Sequence, residues 1–122
     1  MPAIAIIGAS NNRDKYGNKA VRAYLQKGYT VYPINPKEET IEGLKVYKSV
    51  LEVPGQVDVA SFYIPAQAGM KVIEEIAKKG IKDVYLNPGA ESNELYEKAK
   101  KLGLNPMMAC SIVAAGMSPN QL

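Results

Sequence analysis

The chain has 122 residues, 47% of them hydrophobic and 22% charged, which suits one soluble globular domain with a single core. Histidine is absent and cysteine occurs once, at Cys110. This excludes Ser-His-Asp and Cys-His catalysis and an internal disulfide framework, and argues against a zinc site. The net charge of +3 is too small to point to nucleic acid, yet it is unevenly spread: residues 1–37 hold six basic side chains against one acid, and the remainder nine against eleven. No apolar run approaches the ~20 residues of a membrane span, no secretory leader is expected at the start, and the lone cysteine fits a reducing, cytoplasmic setting.

Ala3 to Ile7 is a continuous apolar run, the pattern of a strand buried on both faces, and it stops at the small-residue turn Gly8-Ala9-Ser10-Asn11-Asn12-Arg13. A helix is expected from Gly17 to Lys27, with Gly17, Ala20, Val21, Tyr24, Leu25 and Gly28 at the spacings of one buried face. Strand, small-residue turn and helix open a doubly wound α/β fold. The helix N-terminus there offers unpaired N–H groups and the positive end of a dipole, which favour an anionic group such as a nucleotide phosphate.

Thr30 to Ile34 reads as a second strand closed by Asn35-Pro36-Lys37, with Pro33 placed at its end or on an unpaired side. Glu38 to Val53 reads as irregular, apart from a helical turn near Ser49 to Glu52. A third strand is expected over Val57 to Ile64, a helix over Ala66 to Lys79, a fourth strand over Asp83 to Asn87, and a helix over Ser92 to Leu102 with Ser92 as N-cap. Asn105 to Cys110 reads as a fifth short strand, and residues 111–122 carry no legible pattern. The alternation predicts a mostly parallel five-stranded sheet flanked by helices, a single Rossmann-like α/β domain spanning residues 1–122.

In such a fold ligands bind outside the carboxyl ends of the strands. Four strand ends carry turn residues: Gly8-Ala9-Ser10, Asn35-Pro36-Lys37, Tyr63-Ile64-Pro65 and Asn87-Pro88-Gly89. Each is ordinary punctuation after a strand, but all four fall on one edge of the sheet. Arg13, Lys15 and Lys37 lie in loops beside those ends, whereas Lys19, Arg22 and Lys27 read as a solvated helix face. The dinucleotide fingerprint G-x-G-x-x-G is missing, no acid closes the second strand, and no G-x-x-x-x-G-K-[ST] occurs. A small NAD(P)-binding oxidoreductase or redox sensor stays as an alternative, with Glu38 and Glu39 its nearest ribose partners; a ligand-free interaction domain is a second. Cys110 reads as a buried small hydrophobe, Asp58 and Asp83 as structural groups at strand starts, and the tyrosines as half-buried packing residues.

Ile7-Gly8-Ala9-Ser10 with Arg13, the run Gly28-Tyr29-Thr30-Val31-Tyr32-Pro33-Ile34-Asn35-Pro36-Lys37, Ile41-Glu42-Gly43-Leu44-Lys45-Val46-Tyr47 and Tyr63-Ile64-Pro65 together resemble the CoA-binding domain proteins. These are stand-alone Rossmann-like domains related to the CoA-binding domain of the succinyl-CoA synthetase α subunit. The resemblance implies that coenzyme A or an acyl-CoA rests its pyrophosphate on Gly8 to Arg13. It places the adenosine-phosphate end near Asn35, Pro36 and Lys37 and the adenine near Tyr63, Ile64 and Pro65. Lys37 would supply a point charge and Arg13 a fork for phosphate oxygens. Where stand-alone members often carry an Arg-containing run and a Trp-x-Gln-x-Gly run, this chain reads Tyr63-Ile64-Pro65 and Tyr85-Leu86-Asn87-Pro88-Gly89, the former closer to the synthetase. The synthetase's phosphorylated histidine has no counterpart here, so its catalysis is not carried over. The expected role is CoA binding without a catalytic group, with a partner subunit or a homodimer as the assembly and no nucleic acid or membrane as partner.

Overall fold

The computed structural model describes residues 2–122. The first strand, β1 (Ala3–Ile7), is buried along its whole length, as its unbroken apolar run requires. Helix α1 (Tyr16–Gln26) leads to β2 (Thr30–Ile34). A two-stranded hairpin follows, β3 (Thr40–Ile41) and β4 (Leu44–Lys45), and then a 3-10 turn at Val50–Glu52. The remainder alternates: β5 (Val59–Phe62), α2 (Ala66–Lys79), β6 (Asp83–Leu86), α3 (Asn93–Lys101), β7 (Asn105–Met107) and the short α4 (Ser111–Ala114), with a 3-10 turn at Pro119–Gln121.

The main sheet is parallel, in the order β2-β1-β5-β6-β7. The chain steps from β1 outward to β2, then returns across β1 to β5. The order therefore reverses between β1 and β5, the position where a doubly wound sheet opens a crevice at its carboxyl edge. Ala5, Ile7, Ala60, Phe62, Val84 and Leu86 pack on one face with Ile73, Ile76, Leu95 and Ala99 of α2 and α3. Ile4, Ile6 and Val31 pack on the other with Ala20, Val21 and Tyr24 of α1 and Ile112 of α4. Removing a hydrophobic side chain of Ile or Leu size from water is worth roughly 1.5–3 kcal/mol, so these two layers supply the main driving force for the fold.

Pro33 sits in edge strand β2, and its carbonyl accepts from the Tyr47 N–H at 3.0 Å. Because a residue's C=O and ring nitrogen face the same side of a strand, the missing donor falls on the outer side and costs β1 nothing. Ser92 caps α3, its Oγ accepting from Leu95 N at 3.0 Å.

Several expectations are corrected. The stretch read as irregular contains the β3–β4 hairpin, whose two-residue corner puts Glu42 at φ 50 and Gly43 at φ 78, the left-handed pair of a tight β-turn. Helix α1 begins at Tyr16, one residue before Gly17. Leu25 is 37% exposed, because the buried side of α1 is centred on Ala20, Val21, Ala23 and Tyr24 and ends before the helix's last residues. The third strand is shorter than Val57 to Ile64, although Asp58 N to Ala3 O (2.9 Å) and Tyr63 N to Ile7 O (2.8 Å) continue the ladder past its ends. The fifth strand ends at Met107, since Met108 to Cys110 turn the chain into α4; Cys110 is half-buried, not enclosed.

Candidate functional site

The turn after β1 is built by close backbone approach. Gly8 has φ +87, and a Cβ there would stand 2.6 Å from the Tyr63 carbonyl oxygen. At Gly17 a Cβ would stand 2.4 Å from the Gly8 carbonyl oxygen. Only glycine lets the turn, the first turn of α1 and the end of β5 meet this closely. Lys15, the N-cap of α1, makes no side-chain cap, and the first intrahelical donors are Asn18 N and Lys19 N, both to Lys15 O. The N–H groups of Tyr16 and Gly17 are thus left facing the crevice, with the positive end of α1 behind them.

A hollow of about 340 Å³ lies there, lined by Gly8, Ala9, Ser10, Lys15, Tyr16, Gly17, Asn35 and Tyr63. A second, more apolar hollow of about 260 Å³ shares Gly8 and is walled by Pro36, Ile64 and Val72, with Lys48 and Glu75 at its rim. Both hollows lie at the carboxyl ends of β1, β2 and β5, and Gly8 belongs to the lining of each.

The turn is held from outside by a network that its sequence does not advertise. Fully buried Asn18 donates from Nδ2 to Ser10 O (2.9 Å) and to Glu42 Oε2 (3.0 Å), while its Oδ1 accepts from Arg22 Nε (2.7 Å). Arg22 also donates to Arg13 O at 2.8 Å. Asn11 donates to Glu38 Oε2 (2.6 Å) and Thr40 O (2.9 Å). The β3–β4 hairpin and the residue leading into it are therefore a brace for the turn after β1. Asn35 donates to Ala9 O at 2.8 Å and accepts from Lys37 N at 2.8 Å, which fixes the second strand end to the first.

Of the residues singled out in the sequence, Gly8, Ala9, Ser10, Lys15, Asn35 and Tyr63 meet around the first hollow, and Pro36 and Ile64 wall the second. Asn11 and Asn12 shape the turn, Asn12 N donating to Ser10 Oγ at 3.0 Å. Arg13 is exposed and stands 3.7 Å from Glu42, Lys37 is exposed, and Pro65 is the N-cap of α2; none of the three lines either hollow. Asn87 is spent elsewhere. It is only 2% exposed, donates to Ser61 Oγ and Phe62 O (both 2.8 Å) and accepts from Ser111 N (2.8 Å). Its side chain holds α4 against the sheet, and Gly89 offers backbone alone. Sequence reasoning missed Tyr16 and Gly17 as lining residues, Asn18 and Glu42 as braces, and Lys48, Val50, Ala68 and Val72 in the apolar hollow. Tyr16-Gly17 was the one signal within reach, since it opens the helix.

Burial raises the Tyr63 phenol above its ordinary 10.0, so it is a neutral hydroxyl at physiological pH. Among the described residues no group of three or more His, Cys, Asp or Glu forms a metal cluster, and no helix is long and apolar enough to cross a membrane.

The parallel order, the crevice at the β1/β5 reversal and the open helix N-terminus define a Rossmann-like α/β domain. The chain belongs to the CoA binding domain family, whose match runs over residues 2–116. It is 37% identical over 112 residues to the α subunit of an ADP-forming acetate–CoA ligase of Pyrococcus furiosus, a match over 83% of this chain and 24% of that protein. A solved conserved hypothetical protein from the same organism superposes with a TM-score of 0.85 at 40% identity, covering 93% of this chain and 99% of the other. A dinucleotide-forming acetyl-coenzyme A synthetase of Candidatus Korarchaeum cryptofilum, solved with phosphate and ADP, gives a TM-score of 0.78 at 34% identity over 88% of this chain and 25% of that one. The chain spans 14% to 24% of the length of the first three curated ligases it matches.

Proposed function

We propose that this chain binds coenzyme A, free or acylated, across the two hollows at the carboxyl edge of the sheet. The observation that carries the reading is the pair of neighbouring hollows that share Gly8 in their linings, one polar at the start of α1 and one apolar beside Pro36 and Ile64. A dinucleotide-like ligand needs that succession of anion seat and base slot. The pyrophosphate would take the N–H groups of Tyr16 and Gly17 with Arg13 and Lys15 alongside; the adenine would enter between Pro36 and Ile64 beside Pro65, and the 3′-phosphate would meet Lys37. CoA's 3′-phosphate monoester holds about −1.5 to −2 charges at neutral pH, which suits the concentration of basic residues in the first third of the chain. Asn87 and Gly89 would border the ligand's arm through backbone only.

The related ligases are larger proteins or subunits, which supports a role as a CoA-carrying domain that works with a partner subunit, with a homodimer as the other assembly. The proposal is binding and presentation. Calorimetric titration with CoA, dephospho-CoA, NAD and NADP tests it. CoA should bind most tightly, with dephospho-CoA clearly weaker. Preference for NAD or NADP would replace the ligand and revive the oxidoreductase or redox-sensor reading, and silence from all four would overturn the ligand assignment.

A further inference from the structure

Beside the crevice, a chain of hydroxyls leads from the sheet interior to its wall. Ser61 Oγ and Ser111 Oγ are 2.7 Å apart, and Ser111 Oγ and Tyr63 Oη are 2.8 Å apart. Both serines are fully buried, whereas Tyr63 is half-buried and lines the polar hollow. The distances leave each donor direction open, but counting hydrogens closes it. Ser61 Oγ already accepts from Asn87 Nδ2, and the acceptor that stands at full hydrogen-bond geometry for its own hydrogen is Ser111 Oγ, at 2.7 Å. Ser111 Oγ then accepts from Ser61, and its hydrogen has only Tyr63 Oη. Over these two short contacts, any other arrangement strands a seryl hydrogen in the interior, a loss that buried donors rarely suffer. The start of this chain cannot reverse, because an amide nitrogen such as Asn87 Nδ2 only donates; that amide is itself oriented by Phe62 O and by Ser111 N on its oxygen.

We infer that Tyr63 presents its O–H as a donor into the crevice, its own oxygen already filled by Ser111, and that this hydroxyl recognises an acceptor oxygen on the ligand. Asn87, Ser61 and Ser111 are positioning residues that set the direction of that donor. The site thereby gains a neutral, directional contact where its neighbours offer backbone N–H groups and a lysine. A donor whose proton is fixed before binding favours an oxygen acceptor, such as a phosphate or an amide carbonyl, over another donor. The ligand half of this inference rests on the CoA reading above; the proton half stands on the hydrogen-bond count alone.

Neutron diffraction from the perdeuterated full chain reads the proton directly. The expected map places the Tyr63 deuteron toward the crevice and the Ser111 deuteron toward Tyr63 Oη. A Tyr63 deuteron on the line to Ser111 Oγ overturns the inference. Tyr63→Phe, titrated with CoA, tests the ligand half. A hydrogen bond to a charged group is worth roughly tenfold or more in affinity, so CoA should weaken by about that factor while inorganic phosphate-free melting still shows a cooperative fold. Unchanged CoA affinity in Tyr63→Phe overturns the recognition role. If the wild-type protein itself does not bind CoA, the CoA reading fails, and the neutron map decides the donor by itself.

Discussion

The end of β1 and the end of β6 begin alike, as a hydrophobic strand running into small or turn-forming residues, and they finish as opposites. After β1, the polar atoms that matter face outward: the N–H groups of Tyr16 and Gly17 have no intrahelical partner, and the side chains of Asn11, Asn18 and Asn35 hold the turn open from behind. After β6, Asn87 turns inward and spends both its amide hydrogens and its oxygen on Ser61, Phe62 and Ser111. One strand end is a seat and the other is a rivet. What separates them is where each polar group's hydrogen bonds go, which residue type alone does not settle.

Substitutions at the two ends should therefore break different things. The largest loss of stability is expected at the seat's glycines. Gly17→Ala should be stabilising by about 1 kcal/mol if helix propensity decided, but the clash of its Cβ with the Gly8 carbonyl, 2.4 Å away, should make it destabilising by ~2 kcal/mol or more. Gly8→Ala adds a left-handed backbone to a similar clash and should cost ~3 kcal/mol or more. Urea unfolding gives both the sign and the size. Next comes the rivet: Asn87→Ala orphans buried groups on β5 and α4 and should cost ~2 kcal/mol, while CoA affinity in the folded fraction changes mainly through Tyr63.

Tyr24 sharpens the same contrast through pH. Its hydroxyl donates to Ser111 O at 2.7 Å, and burial raises its phenol well above the ordinary 10.0. The unfolded chain loses this proton near its ordinary value while the folded chain keeps it, so Tyr24's contribution is complete below pH ~10 and falls as the pH rises further. Tyr24→Phe should cost ~1 kcal/mol at pH 7 and flatten the alkaline loss of stability, as followed by melting between pH 7 and 11. Least disruptive of all is Lys37→Ala. Exposed Lys37 should leave stability within ~0.5 kcal/mol, yet weaken CoA several-fold with little effect on dephospho-CoA; equal loss for both ligands would move the 3′-phosphate elsewhere.

The sequence carried what short-range chemistry decides. The apolar run of β1, the Ser92 cap and the four aligned strand ends were legible, and Pro33 was narrowed to two placements, because each depends on neighbours in the chain or on a fold-wide rule. What stayed hidden depends on residues far apart. Asn18 looks like an unremarkable helix residue until Glu42, 24 positions on, arrives at its amide. Ser111 sits in a tail without a pattern, and its meaning comes from Ser61, 50 positions earlier. The β3–β4 hairpin has two residues per strand, too few for an alternation to register. Leu25 fits the helical period and still faces solvent, because period locates a face but not where its cover ends.

The central claim is that the first turn seats the ligand's phosphates. Backbone-amide NMR titration of the full chain with CoA tests it most directly. The account predicts the largest shifts at Gly8, Tyr16 and Gly17, with a second group at Lys37 and Ile64. Saturating shifts that cluster at the opposite edge of the sheet, around Asp58 and Asp83, with the Gly8 and Gly17 amides unmoved, would contradict it.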